Sequence, residues 1–163
     1  MTAIDKLKEV TAFLKSQGID DAAREAEILI TETLRISKSK LYAGSFEMSE
    51  AESRQIDALA SRRTRREPLQ YIIGHVEFHG LKIKVGQGVL IPRPETELLA
   101  EEVIKAVQRS AFSVQRKSKD SELQTSNSEL RILDLCTGSG CLALAIAKHF
   151  PDAEVYGTDI SKD

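Results

Sequence analysis

The chain has 163 residues, 41% hydrophobic and 29% charged, which is the composition of a soluble globular protein and enough for one medium domain or two small ones. Lys and Arg total 23 against 25 Asp and Glu, a net charge of −2, so no global field draws the protein to nucleic acid or an anionic membrane. No apolar stretch reaches bilayer-spanning length. "MTAIDKLKEVTAFLKSQ" alternates charged with apolar residues where a signal peptide needs a continuous apolar run, and a cytoplasmic location is expected.

The first segments read as amphipathic helices. Ile4, Leu7, Val10 and Leu14 recur at helical spacing before Gly18, a residue suited to the left-handed helix end. In "DDAAREAEILITETLR" acids precede a stripe of Ala22, Ala26, Leu29, Ile30 and Thr33, and "KSKLYAG" suggests a short third helix. "MSEAESRQIDALASRRTRR" opens on a capping box, Ser49 with Glu52, and carries the stripe Ile56, Leu59, Ala60. Such stripes can be buried only against one another, which predicts a small helical bundle over residues 1–70. Its last helix ends in Arg62, Arg63, Arg65 and Arg66, either a solvated last turn favoured by the helix dipole or a surface for a partner. Aromatic interleaving is absent, so direct nucleic-acid binding is not expected.

After Pro68 the period becomes two. Val76, Phe78, Leu81, Ile83 and Val85 flank His79-Gly80 and predict a β-hairpin, read as a connector over 71–94, with His75 and His79 as strand or turn residues. Pro92, Arg93, Pro94 and Glu95 form a rigid segment, which can wall a site or simply start a helix. That helix places Leu98, Leu99, Val103, Ala106 and Val107 on its apolar face. Ser- and Lys-rich residues 109–130 read as a polar linker or long surface loop.

Chemistry is concentrated at the end of the chain. "RILDLC" predicts a strand, "TGSG" a turn, "CLALAIAKHF" a helix and "AEVYGT" a second strand finishing at Asp159, so the unit is a βαβ. Glycines allow close approach of backbone to ligand, the helix start offers free amides, and a carboxylate at the next strand tip can accept hydrogen bonds from a ribose diol. Gly138, Gly140 and Ala143 also satisfy the dinucleotide pattern, with Asp159 nineteen residues after Gly140. Asp134 shifts the balance to S-adenosylmethionine: it can attract the cofactor's ammonium, whereas it would repel a pyrophosphate. The alternative is an ordinary strand-end residue bonded to turn amides. Cys136 and Cys141 have neither redox-pair spacing nor a histidine cluster beside them, so no metal is expected and both are read as buried, reduced thiols.

"DLCTGSG" with "TDIS", preceded by "EPLQYIIG" and "LIPRPETE", resembles the release-factor glutamine methyltransferases of the HemK type. The resemblance covers the layout of the whole chain. It implies an α/β fold with an N-terminal all-α part, in which residues 95–163 open a Rossmann-like methyltransferase domain. It also implies N5-methylation of the Gln in the Gly-Gly-Gln loop of a peptide-chain release factor, with S-adenosylmethionine as donor. Carried over by position, Cys136, Thr137, Gly138, Ser139 and Gly140 would form the cofactor loop, Asp134 and Asp159 would flank it, and Pro92 to Glu95 would lie beside it. Arg62, Arg63, Arg65 and Arg66 would then meet an acidic release-factor surface. Family members carry Gly or another small residue where Cys136 stands, so a left-handed backbone is not assumed there.

The family's Asn-Pro-Pro-Tyr substrate loop does not occur in the chain, and no catalytic residue is assigned. On that basis the chain is expected to be a truncated product, inactive alone, with an exposed strand edge and an apolar helix facing water after residue 130. Two other readings stay open: a non-catalytic partner-binding module, and a nicotinamide-dependent oxidoreductase fragment.

Overall fold

A computed structural model describes residues 1–117 and 130–161. The chain divides into two compact units, Met1–Gly74 and His75–Asp163.

The first unit is helical. Helix α1 (Ala3–Ser16) starts on Thr2, whose hydroxyl accepts from the Asp5 amide, and α2 (Ala22–Leu34) ends on Arg35 in the left-handed region. The short α3 (Lys38–Tyr42) is capped by Ser37. Helix α4 (Glu50–Thr64) has the capping box in full: Ser49 Oγ accepts from the Glu52 amide, and the Glu52 carboxylate accepts from the Ser49 amide at 2.8 Å. A further short helix, α5 (Leu69–Ile73), follows Pro68 and closes at Gly74 with φ 82°. It lies partly in the segment read as connector. The apolar stripes meet as expected, with Leu7, Val10, Leu14, Ala26, Leu29, Ile30, Leu41, Ile56, Ala60 and Ile72 in one core. Leu34 takes the buried place on α2, while Thr33 is half-buried and donates its hydroxyl to the Leu29 carbonyl at 2.6 Å.

Lys6 is the surprise of this core: on a helix that reads as charged outside, it is 1% exposed. Its ammonium meets Asp57 at 2.6 Å, joining α1 to α4, and Glu9 at 3.2 Å. Burial alone favours the neutral amine, but the hydrogen bonds to Asp57 and Glu9 outweigh it and raise Lys6 above the ordinary lysine range. This stabilisation is complete below the ordinary lysine pKa and lost as pH rises through the raised folded value. Both carboxylates are half-exposed, so Lys6→Met leaves no buried orphan charge and is expected to change stability at neutral pH by less than about 1 kcal/mol. Urea titration at rising pH checks this: the variant should lose part of the alkaline decline that the parent shows.

The second unit begins with the hairpin β1 (His75–Phe78) and β2 (Leu81–Lys84), in antiparallel register with Val76 opposite Ile83. His79 and Gly80 both have positive φ, 49° and 69°, as a two-residue primed turn requires. Phe78 and Ile83 pack with Ala100 of α6 (Pro94–Lys117) and with Cys141 and Ala145 of α7 (Cys141–His149). Lys148 on α7 also donates to the Gly80 carbonyl at 3.0 Å. The hairpin is thus part of the core of its own unit. Helix α6 runs to Lys117, into the segment read as polar linker. Residues 118–129 of that segment lie outside the described residues.

Strands β3 (Arg131–Leu135) and β4 (Glu154–Thr158) pair in parallel around α7, with Asp134 opposite Gly157. The predicted βαβ is therefore present. Leu133, Leu135 and Tyr156 on the strands and Leu144 on α7 are exposed, as expected for this unit. Cys141, Ala145 and Ile146 depart from the expectation of a water-facing helix and are buried; Cys141 and Ala145 do so under the hairpin.

Candidate functional site

The site is the turn that leaves β3 and enters α7. Cys136, Gly138 and Gly140 all have positive φ, 60°, 55° and 74°, so the chain reverses within a few residues and brings α7 back onto the strands. Cys136 thus adopts the left-handed conformation that the sequence reading does not assume there, at a steric cost that a side chain bears and glycine does not. Its thiol is exposed, which corrects the expectation of two buried cysteines: left-handed backbone at the strand tip leaves the thiol in solvent, while Cys141 on the inner face of α7 is buried.

Backbone hydrogen bonds fix the turn. The Thr137 amide donates to the Thr158 carbonyl at 2.9 Å, extending the β3–β4 pairing past the last strand residue, and the Gly140 amide donates to the Thr137 carbonyl at 2.9 Å. Two carboxylates close on this frame. Asp134 Oδ2 accepts the Thr137 hydroxyl at 2.7 Å. Asp159 Oδ2 accepts the Gly138 amide at 2.8 Å and its Oδ1 accepts the Ser161 amide at 2.9 Å. These amides, Ser161 first and Gly138 second, hold the Asp159 carboxyl below the ordinary aspartate range.

Of the residues singled out in the sequence, Asp134 with Thr137 and Gly138 with Asp159 form two hydrogen-bonded pairs on adjacent turn residues, with Ser139 and Gly140 completing the turn into α7. Asp134 is bonded to a turn side chain, not to turn amides. Beside Gly138 the space is open, with nothing within 4 Å of where a side chain would begin. An open glycine backbone, a helix start and two carboxylates of different placement suit a ligand with a cationic end and a diol, and the Asp134 carboxylate disfavours a polyanion.

Pro92, Arg93, Pro94 and Glu95 stand at the start of α6, where Pro94 occupies the first helical turn and the Thr96 amide donates to the Arg93 carbonyl at 2.9 Å. Among the described residues no hydrogen bond joins this segment to the turn after β3. The basic run is mostly engaged within its own unit. Arg62 grips Glu67 with two nitrogens, Arg63 pairs with Glu25 of α2 at 2.6 Å, and Arg66 donates to the Gly18 carbonyl at 3.0 Å beyond α1. Arg65 is exposed.

One site residue escaped the sequence reading. Gly157, inside β4, lies against the Thr137 side chain, with Thr137 Oγ1 3.0 Å from the position a Cβ would take. A glycine within a strand is the signal for such close approach, and it was available in "VYGT". No group of three or more His, Cys, Asp or Glu side chains able to hold a metal occurs among the described residues, and none of their helices is long and apolar enough to cross a membrane.

The architecture is that of an N-terminal helical domain followed by the opening βαβ of a Rossmann-like domain. Residues 5–74 match the family model described as the PrmC N-terminal domain. Over 99% of its length the chain is 42% identical to a protein of Thermodesulfovibrio yellowstonii named release factor glutamine methyltransferase, of which it covers 51%. Proteins of the same name from Coxiella burnetii and Fusobacterium nucleatum are 36% and 32% identical, over 95% and 98% of this chain and 48% and 41% of theirs. The chain is therefore related to the release factor glutamine methyltransferase family, and it spans about half the length of the curated relatives it matches.

Proposed function

We propose that the turn between β3 and α7 holds S-adenosylmethionine, in a protein that methylates the glutamine of a release factor's Gly-Gly-Gln loop at N5. The observation that carries this reading is the clustering of Asp134, Gly138 and Asp159 at one end of a parallel strand pair, together with the kinship reported above. Asp159 would take the ribose hydroxyls, the backbone of Gly138 to Gly140 would lie along the nucleoside, and Asp134 would face the ammonium. When bound, the cofactor supplies an electrophilic methyl group. The protein's remaining task is orientation, because a neutral amide nitrogen is a poor nucleophile and must be held within attack distance. The 163 residues contain no Asn-Pro-Pro-Tyr, the segment by which the family orients that amide, so we expect them to bind cofactor without turnover by themselves. A release factor is the proposed partner, and exposed Arg65 is the member of the basic run best placed to reach it.

Thermal unfolding tests the cofactor class. At about 100 times its Kd, S-adenosylmethionine should stabilise the protein by about 2.7 kcal/mol, raising Tm, while NAD at the same concentration leaves Tm unchanged. Stabilisation by NAD alone would transfer the site to the dinucleotide class.

A further inference from the structure

Thr137 stands between two elements of the site. Its amide is bound to β4 through the Thr158 carbonyl, and its hydroxyl donates to Asp134 on β3 at 2.7 Å. Its side chain lies over Gly157, the residue paired with Asp134 across the strands: Oγ1, Cβ and Cγ2 are 3.0, 3.2 and 3.2 Å from where a Cβ would sit. Only a residue without a side chain leaves that room undisturbed. The Thr137 side chain is thus confined from one side by β4 and tied on the other to the carboxylate. Thr137 thus holds Asp134 Oδ2, and no other described residue takes Asp134 Oδ1.

We infer that Thr137 is a positioning residue, which fixes the Asp134 carboxylate through Oδ2 and so presents Oδ1 to the ammonium of the cofactor's amino-acid portion. The inference rests on the S-adenosylmethionine reading above and adds to it a division of labour. Asp134 supplies the charge, Thr137 its orientation, and the bare backbone of Gly157 the space in which Thr137 sits. An unoriented carboxylate at a half-buried strand end would sample several rotamers and lose part of its attraction on each.

Two nucleosides separate this role from general damage to the turn. S-adenosylhomocysteine carries the ammonium, whereas 5′-methylthioadenosine has the same adenosine and thioether without the amino-acid portion. Calorimetric titration of the full chain with each should show Thr137→Val, equal in shape but lacking the hydroxyl, weakening S-adenosylhomocysteine about tenfold while 5′-methylthioadenosine changes by less than about twofold. Thr137→Ser, which keeps the hydroxyl, should restore the parent affinity. Equal losses for both nucleosides, or no loss for either, would overturn the positioning role while leaving the cofactor assignment in place. A parent chain that binds neither nucleoside would overturn the cofactor assignment, and this inference with it.

Discussion

Asp159→Ala should weaken S-adenosylmethionine binding about a hundredfold, because on the proposed reading a single side chain would accept from the ribose and it also tethers the glycine turn. The carboxylate already accepts two backbone amides, from Gly138 and Ser161, so its removal loosens the turn and the segment after β4 together. Asp159→Asn retains one acceptor oxygen without the charge and should lose about tenfold. The pH dependence has a definite sign. With the carboxyl held below the ordinary aspartate range by the amides of Ser161 and Gly138, the charged form persists above that range, and the tether is lost only as pH falls through the depressed value. Affinity should therefore be insensitive to this group between about pH 5 and pH 8. Equilibrium dialysis with labelled S-adenosylmethionine checks both expectations; an unchanged affinity in Asp159→Ala would remove Asp159 from the site.

Local rules account for what the sequence made legible. Ser49 and Glu52 announce a helix start because each satisfies the other's backbone amide within one turn, and His79-Gly80 announces a hairpin because both residues can take positive φ. The βαβ and its acidic tips follow from a change of period around a glycine turn, and Asp134, Thr137, Gly138 and Asp159 indeed converge there. The misses depend on partners distant in sequence. Lys6 flanks the apolar face of α1, three residues after Ala3 and four before Val10, but its burial is completed by Asp57 on α4, a partner that α1 alone does not reveal. The hairpin joins the core of the second unit because Cys141 and Ala145 offer an apolar face more than fifty residues later. Cys136 is exposed because the reversal of the chain decides where its thiol lies, which hydropathy cannot report.

Arg63→Ala should destabilise the helical unit by about 2 kcal/mol, which sets Arg63 apart from its basic neighbours. The Arg63 and Glu25 side chains are 18% and 16% exposed, joined through Nε at 2.6 Å and Nη2 at 3.1 Å, and the pair fastens α4 to α2. Truncating Arg63 leaves Glu25 largely enclosed without its bidentate partner. A fully buried carboxylate so stranded costs about 3–5 kcal/mol, and the remaining contact with water and the amino end of α2 reduce that figure here. If the loss comes from the stranded charge, Arg63→Met combined with Glu25→Leu should recover most of it, because both charges leave together and apolar volume remains. Urea denaturation of the two single variants and the double variant measures the coupling. The same series decides what the basic run does. Arg63 as an internal staple lowers stability when removed, whereas exposed Arg65 as a partner contact should leave stability unchanged in Arg65→Glu and lower affinity for a release factor. A stable Arg63→Ala with reduced release-factor affinity would assign the partner role to Arg63 instead, against its geometry.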